Sequence, residues 1–467
     1  MSKKEIAGWL AGLIGFILPL TVSFPGLSMA GHIAMSIFLL AAFFWMLEPI
    51  PIYATSMLVI FLEVLLLSGQ GIVFETLGIS PGPYEPTTYT DFIGTLANPI
   101  IILFLGGFML ADAAVKYNLD KNITRILLKP FGQKPSNIML GLMLVTACLS
   151  AFMSNTATTA MMMTVIIPIA AHATQGDPLK IGLALSIPFA ANIGGMATPI
   201  GTPPNAVVIA ALNEQGTSIA FGNWMIYALP VVVFMLFAAW LLLLKIYPAE
   251  TKRLELDMKG SFTKSPKAWV LYSVFIVTII LWITENLHGI KSSIVALLPV
   301  SVLTLSKILT KEDIRKLPWE VLWLVAGGIA LGVAMKDTGL AAWMIGSIAW
   351  GSMANLTMLA LFGVVCIVMS NFLSNTVTAT LLIPLAISLG TSGVMTSAFS
   401  LVVTGLVIGV SASLAMCLPI STPPNAIAIS SGMVETKEMS KAGVIIGIIG
   451  ILAVMVSAAW YWPYIVN

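Results

Sequence analysis

Ser154-Asn155-Thr156-Ala157-Thr158 interrupts one long apolar segment, and Ser374-Asn375-Thr376-Val377-Thr378 interrupts another 220 residues later. Thr202-Pro203-Pro204-Asn205-Ala206 recurs as Thr422-Pro423-Pro424-Asn425-Ala426 at the same offset of 220. Two five-residue motifs sharing one offset make chance a poor explanation, so the chain reads as two copies of one design. Fainter echoes lie upstream: Gly106-Gly107 with Gly327-Gly328 at 221, and Trp45-x-x-Glu48 with Trp282-x-x-Glu285 at 237. The longer loop 70–98 in the first copy takes up the difference. Pro168 and Pro384 agree in kind and are expected to close hairpin arms.

Around these motifs the chain is 58% hydrophobic and only 9% charged, against about a quarter charged in soluble domains. The apolar residues gather into runs such as 28–47, 224–246 and 440–464, long enough to cross a bilayer as helices of about 20 residues. The expected fold is an all-α polytopic membrane protein, with about 11 transmembrane helices plus two re-entrant hairpins in an inverted repeat. Spans are expected near 6–24, 28–47, 50–69, 99–115, 181–212, 224–246, 268–285, 292–306, 319–335, 396–430 and 440–464. Residues 1–27 form an N-terminal span, read as retained and not as a signal peptide. Residues 28–247 form the first repeat, with hairpin 137–170 and broken helix 181–212. A cytoplasmic loop follows at 248–267, then the second repeat at 268–467, with hairpin 355–390 and broken helix 396–430. Irregular backbone at membrane depth is tolerated only when packed in protein or lining a wet cavity.

Basic residues set the orientation, because cytoplasmic loops collect them. With the N-terminus inside, the group Lys116, Lys121, Arg125, Lys129 and Lys134 lies inside. So do Lys252, Arg253, Lys259, Lys264 and Lys267, and Lys307, Lys311, Arg315 and Lys316. Only Lys291 and Lys336 of the 22 basic residues then fall outside. The chain is expected in the plasma (inner) membrane, N-terminus cytoplasmic and C-terminus outside. The first hairpin then enters from the cytoplasm and the second from outside. Inverted repeats with broken helices at matching positions mark secondary transporters.

Proline breaks a helix, freeing carbonyls on one side and N–H groups on the other. Free carbonyls and hydroxyls suit a hard cation such as Na⁺, and helix N-termini favour anions. The motifs carry no charged side chain, and Arg125, Arg253 and Arg315 all lie in expected cytoplasmic loops. An anionic substrate would therefore be held by neutral dipoles and co-bound cations. Neither motif offers the carboxylate or histidine usual in proton coupling, which favours Na⁺ over H⁺. Two like half-sites suit a substrate with two like ends, such as a C4-dicarboxylate.

These paired motifs, with Trp-x-x-Glu-Pro-Ile-Pro at 45–51, resemble the divalent-anion/sodium symporter family over nearly the whole chain. The resemblance implies a homodimer with a scaffold and an elevator-like transport domain, moving di- or tricarboxylates such as succinate or malate, or sulfate, by symport or exchange. It implies a first Na⁺ site at Ser150, Ser154, Asn155 and the Gly201 carbonyl. A second would use Ser370, Asn375 and carbonyls near Leu373 and Ser421. Substrate would meet Ser154, Asn155, Thr156, Thr202 and Pro203 in one copy, and Ser374, Asn375, Thr376, Thr422 and Pro423 in the other.

Plainer readings compete. Serine and threonine in membrane helices often only bond backbone or join helices, and Asn205 and Asn425 are read as caps of the broken helices. Glu63 is assigned to a dimer interface or to snorkelling, and Cys148, Cys366 and Cys417 are read as small buried residues. No basic patch with interleaved aromatics suggests nucleic acid; the partners are a small anion and the lipid bilayer. An intramembrane serine protease is a remote alternative, resting on Gly390-Thr391-Ser392-Gly393 alone. An anion channel is another.

Overall fold

Proline and short polar residues cut the apolar segments close to where the sequence places them. The computed structural model describes residues 2–81, 83–254, 262–348, 350, 353–393, 395 and 401–466. Lys259 and the start of the expected segment 396–430 lie outside the described residues. The described residues form helices and no strand. The N-terminal helix α1 (Lys3–Thr21) packs on α2 (Met29–Leu47), and α3 (Ile52–Leu66), α4 (Pro99–Lys116) and α5 (Leu119–Leu128) follow. Next come α6 (Pro135–Ser150) and α7 (Asn155–Ala171), then α8 (Leu179–Gly195), α9 (Pro203–Glu214) and α10 (Phe221–Ile246). The second half runs α11 (Pro266–Ile283), α12 (Leu297–Leu305), α13 (Trp319–Asp337) and α14 (Leu340–Gly346). It ends with α15 (Asn355–Phe372), α16 (Asn375–Thr391), α17 (Leu401–Ala412), α18 (Pro423–Ser430) and α19 (Thr436–Val456).

Among the described residues, eight helices are long and apolar enough to cross a membrane. Shorter apolar helices account for other expected spans, several of which are made of pieces. Segments 181–212 and 396–430 are divided at their Thr-Pro-Pro-Asn motifs, 292–306 is divided at Ala296, and α3 is only 15 residues long. Conversely α15, an expected hairpin arm, is 18 residues and long enough to span. The chain turns at Leu373–Ser374, and α16 packs back on α15. Pro168 and Pro384 lie inside the returning arms α7 and α16 and do not close an arm.

The two halves interlock. The post-break helix α9 of the first half packs on α16 and α17 of the second, and α18 of the second packs on α7 and α8 of the first. Further out, α4 packs on α12 and α13 packs on α3. The upstream glycine pairs explain this closeness. A Cβ on Gly106 would stand 2.6 Å from the Ala296 carbonyl oxygen, and one on Gly327 would stand 2.5 Å from Ser56 Cβ. At one end of α4, Lys116 Nζ meets Asp313 Oδ2 at 2.5 Å. Burial acts to raise the Asp313 carboxyl, but the Lys116 ammonium and the Thr310 N–H and hydroxyl hold it down at about 2.

The outer faces of α1, α10 and α19 carry exposed Ile14, Leu241 and Leu452. In water such a surface would be a liability; in a bilayer it is the expected contact with lipid. Glu63 corrects its assignment: it is fully buried inside the fold, so it neither snorkels nor faces a partner. Cys148 is exposed, whereas Cys366 is buried.

Candidate functional site

Each Ser-Asn-Thr stands where a helix restarts. In the first half α6 ends at Ser150, residues 151–154 turn, and α7 begins at Asn155. In the second, α15 ends at Phe372, and Ser374 caps α16 by accepting the Val377 N–H at 3.2 Å. The Thr-Pro-Pro-Asn motifs restart α9 and α18. Thr202 and Thr422 hold nearly the same extended backbone, φ −149°, ψ 141° and φ −146°, ψ 148°. Proline suits the first helical turn, where its missing N–H would be unpaired anyway. Asn205 Nδ2 donates to the carbonyls of Gly195 at 3.1 Å and Thr198 at 2.7 Å, and Asn425 Nδ2 donates to Leu418 at 3.0 Å. Both asparagines therefore close the breaks, as their capping role requires.

Four helix N-termini, of α7, α9, α16 and α18, meet at one cavity of about 780 Å³. Ser154, Asn155, Thr156, Thr202, Pro203, Ser374, Asn375, Thr376, Thr422 and Pro423 all line it, as do Gly201 and Ser421. Ser150 and Ser370 lie behind this wall, fully buried, and Leu373 is also out of the lining. No lysine, arginine or histidine is among the lining residues. The positive charge presented to an anion comes from helix ends.

Behind each tip the oxygens are poorly supplied with protons. Ser150 Oγ lies 2.5 Å from Asn155 Oδ1 and 2.9 Å from the Ala191 carbonyl oxygen. Three oxygens there share one hydroxyl proton. A Cβ on Gly195 would fall 2.7 Å from Asn155 Oδ1, 2.8 Å from its Nδ2 and 3.0 Å from the Gly201 carbonyl oxygen, so the amide group and that carbonyl crowd a point that only glycine leaves open. In the second half, Ser370 Oγ and Asn375 Oδ1 are buried and have no hydrogen-bond partner among the described residues. Hydroxyl, amide and carbonyl oxygens with free lone pairs suit a hard cation, as unwound carbonyls do in broken-helix transporters. The halves are unequal. Ala415 and Ser421 stand where the first half has Gly195 and Gly201, and Ser421 Oγ donates to the Asn371 carbonyl at 3.0 Å.

Sequence reasoning missed several wall residues. Asp112 and Glu320 line the same cavity, so the site is not free of carboxylates, although its motifs are. Asp112 lies one turn before Lys116, and Glu320 opens the helix that follows Asp313. Both therefore sit toward the Lys116–Asp313 end. A lone acid within an apolar span is itself a signal. Asn192, buried in α8, also reaches the cavity. Ser392 Oγ donates to the Leu389 carbonyl at 2.7 Å and lies outside the cavity lining.

The family model described as "Citrate transporter" matches residues 42–409. The sodium-dependent dicarboxylate transporter SdcS of Staphylococcus saprophyticus is 30% identical, covering 98% of this chain and 92% of that protein. SdcS of Staphylococcus aureus strain USA300 is 29% identical over 100% of this chain and 93% of its own length. Two solved structures share the fold. The Alcanivorax borkumensis YdaH transporter has a TM-score of 0.52 at 12% identity, covering 80% of this chain and 88% of that one. The Neisseria gonorrhoeae efflux pump MtrF has 0.56 at 11% identity, covering 99% and 95%. These relatives are transporters, which answers the protease reading, and the resemblance to divalent-anion/sodium symporters holds along the chain. The chain belongs to the citrate transporter family.

Proposed function

We propose that the protein is a secondary active transporter that moves a C4-dicarboxylate, such as succinate or malate, together with Na⁺. The observation that carries this reading is the meeting of four helix N-termini, two from each half, at one cavity with no basic side chain. Two like half-sites match a substrate with two like ends. Asn155 and Asn375 each serve both the cavity and the oxygen cluster behind it, so a cation at either cluster supplies positive charge beside the substrate. The first cluster comprises Ser150, Ser154, Asn155 and the Gly201 carbonyl; the second comprises Ser370, Asn375 and carbonyls at Leu373 and Ser421. The staphylococcal relatives, named as sodium-dependent dicarboxylate transporters, support both halves of the reading.

The packing supports a mechanism. We take the hairpins, broken helices, α10 and α19, which pack on one another, as a moving body, and α1–α4 with α11–α14 as a fixed one that meets it where α13 packs on α9 and α16. With the basic loops cytoplasmic, the cavity lies toward the inside, and the repeat is inverted. Moving the first body against the second, elevator-fashion in a homodimer, would carry the site to the other face.

Uptake of labelled succinate into proteoliposomes tests this. An inward Na⁺ gradient should raise the rate at least about tenfold over an equal K⁺ gradient, a cost of about 1.4 kcal/mol per tenfold. Equal rates would reject Na⁺ coupling, and competition by malate, citrate and sulfate would rank the anions. Asp112 favours a second reading, H⁺ coupling, which uptake driven by a pH gradient without Na⁺ would select. Conductance far above transporter turnover would select a channel.

A further inference from the structure

Asn192 belongs to the first half, three residues before α8 ends, yet its partners belong to the second. Its Nδ2 donates to Thr422 Oγ1 at 3.2 Å and to Asn425 Oδ1 at 3.3 Å. The direction of these bonds is fixed by chemistry. Asn425 Nδ2 is committed to the Leu418 carbonyl, so Asn425 turns its oxygen toward Asn192, and only an NH₂ can pair with it. Asn192 is 1% exposed, and its own Oδ1 has no partner among the described residues. The useful end of this amide is its donor end.

Thr422 Oγ1 receives a second N–H, from the Asn425 backbone at 3.4 Å. With two donors on its oxygen, the lone pairs are taken, and the hydroxyl proton is turned away from both. No protein acceptor for that proton is present among the described residues, and Thr422 lines the cavity at the start of α18. Thr202 has no matching side-chain bond, and the second-half position equivalent to Asn192 is Ala412. One threonine of the pair is thus oriented and the other is not.

We infer that Asn192 is a positioning residue for anion binding: across the boundary between the halves, it fixes the Thr422 hydroxyl as a donor to the substrate. This rests on the dicarboxylate reading above. It also makes the two ends of a symmetric substrate unequal, with one carboxylate meeting a preset donor.

The test is a double-mutant cycle in proteoliposomes at saturating Na⁺: wild type, Asn192→Ala, Thr422→Val and the double variant. Asn192→Ala should raise the succinate KM about tenfold, of the order expected for a bond to a charged group, with maximal rate within about twofold. In the Thr422→Val background it should add less than about twofold, because the pair acts as a unit. Asn192→Asp keeps the shape and replaces donors by acceptors, so it should resemble the alanine variant and covers the case where alanine fails to fold. Independent, multiplying effects of Asn192→Ala and Thr422→Val would overturn the inference. So would an Asn192→Asp protein with wild-type KM. A merely structural role would lower melting temperature and maximal rate while leaving KM in place, and would also overturn it. Wild-type protein that takes up no dicarboxylate would instead sink the functional reading beneath it.

Discussion

Asn155→Ala and Asn375→Ala should each cut Na⁺-driven succinate uptake at subsaturating substrate by more than about a hundredfold, while the protein still folds. Each asparagine is the first residue of a helix whose N-terminus faces the cavity. Asn155 Oδ1 meets Ser150 Oγ, Asn375 Oδ1 is buried with no hydrogen-bond partner among the described residues, and each is proposed to face a cation. Removing one side chain therefore removes a donor to an anion and an acceptor from a cation. Hydrogen bonds to charged groups contribute roughly 1.5–3 kcal/mol each, so losing two costs about 3–6 kcal/mol, or about 10²–10⁴-fold. Both variants should fail, because each half presents one such asparagine to the cavity. Uptake in matched proteoliposomes, with thermal melting as the folding control, measures this. A tenfold or smaller loss in either variant would show that its half is not part of the site.

Gly195→Ala should weaken Na⁺ dependence by at least about tenfold through a single methyl group. That methyl would stand 2.7 Å from Asn155 Oδ1, 2.8 Å from its Nδ2 and 3.0 Å from the Gly201 carbonyl oxygen, against the groups proposed to hold the first cation. The asparagine must rotate away or the break must shift, and either separates the oxygens. The second half tolerates Ala415 at the matching position, so the damage should be confined to one cluster and should lower the steepness of Na⁺ activation. Na⁺-induced thermal stabilisation reads this without substrate, since a ligand stabilises according to its saturation. An unchanged Na⁺ titration would remove Gly195 and the first cluster from the account.

The site was legible where the chain repeats itself and obscure where it does not. Ser150 and Ser370, the Ser-Asn-Thr pairs and the Thr-Pro pairs recur at one offset, and doubling separates them from ordinary membrane serines. Asn192 and Asp112 have no such counterpart: their equivalents are Ala412 and Val333. A repeat used as a filter passes over residues that make the halves differ. Gly195 reads in sequence as an unremarkable helix end, and its use emerges only when the Asn155 side chain is seen against it. Helix length alone does not tell a span from a hairpin arm. A 15-residue helix and an 18-residue hairpin arm reverse what hydropathy and length alone suggest.

On the proposed reading, bound cations form part of the anion site. Calorimetric titration of succinate into the purified protein, in Na⁺ and then in choline, tests it most directly. Coupling between sites is reciprocal, so the account predicts saturable binding in Na⁺ and affinity at least about thirtyfold lower, a coupling of about 2 kcal/mol, in choline. Equal affinity in the two salts would contradict it.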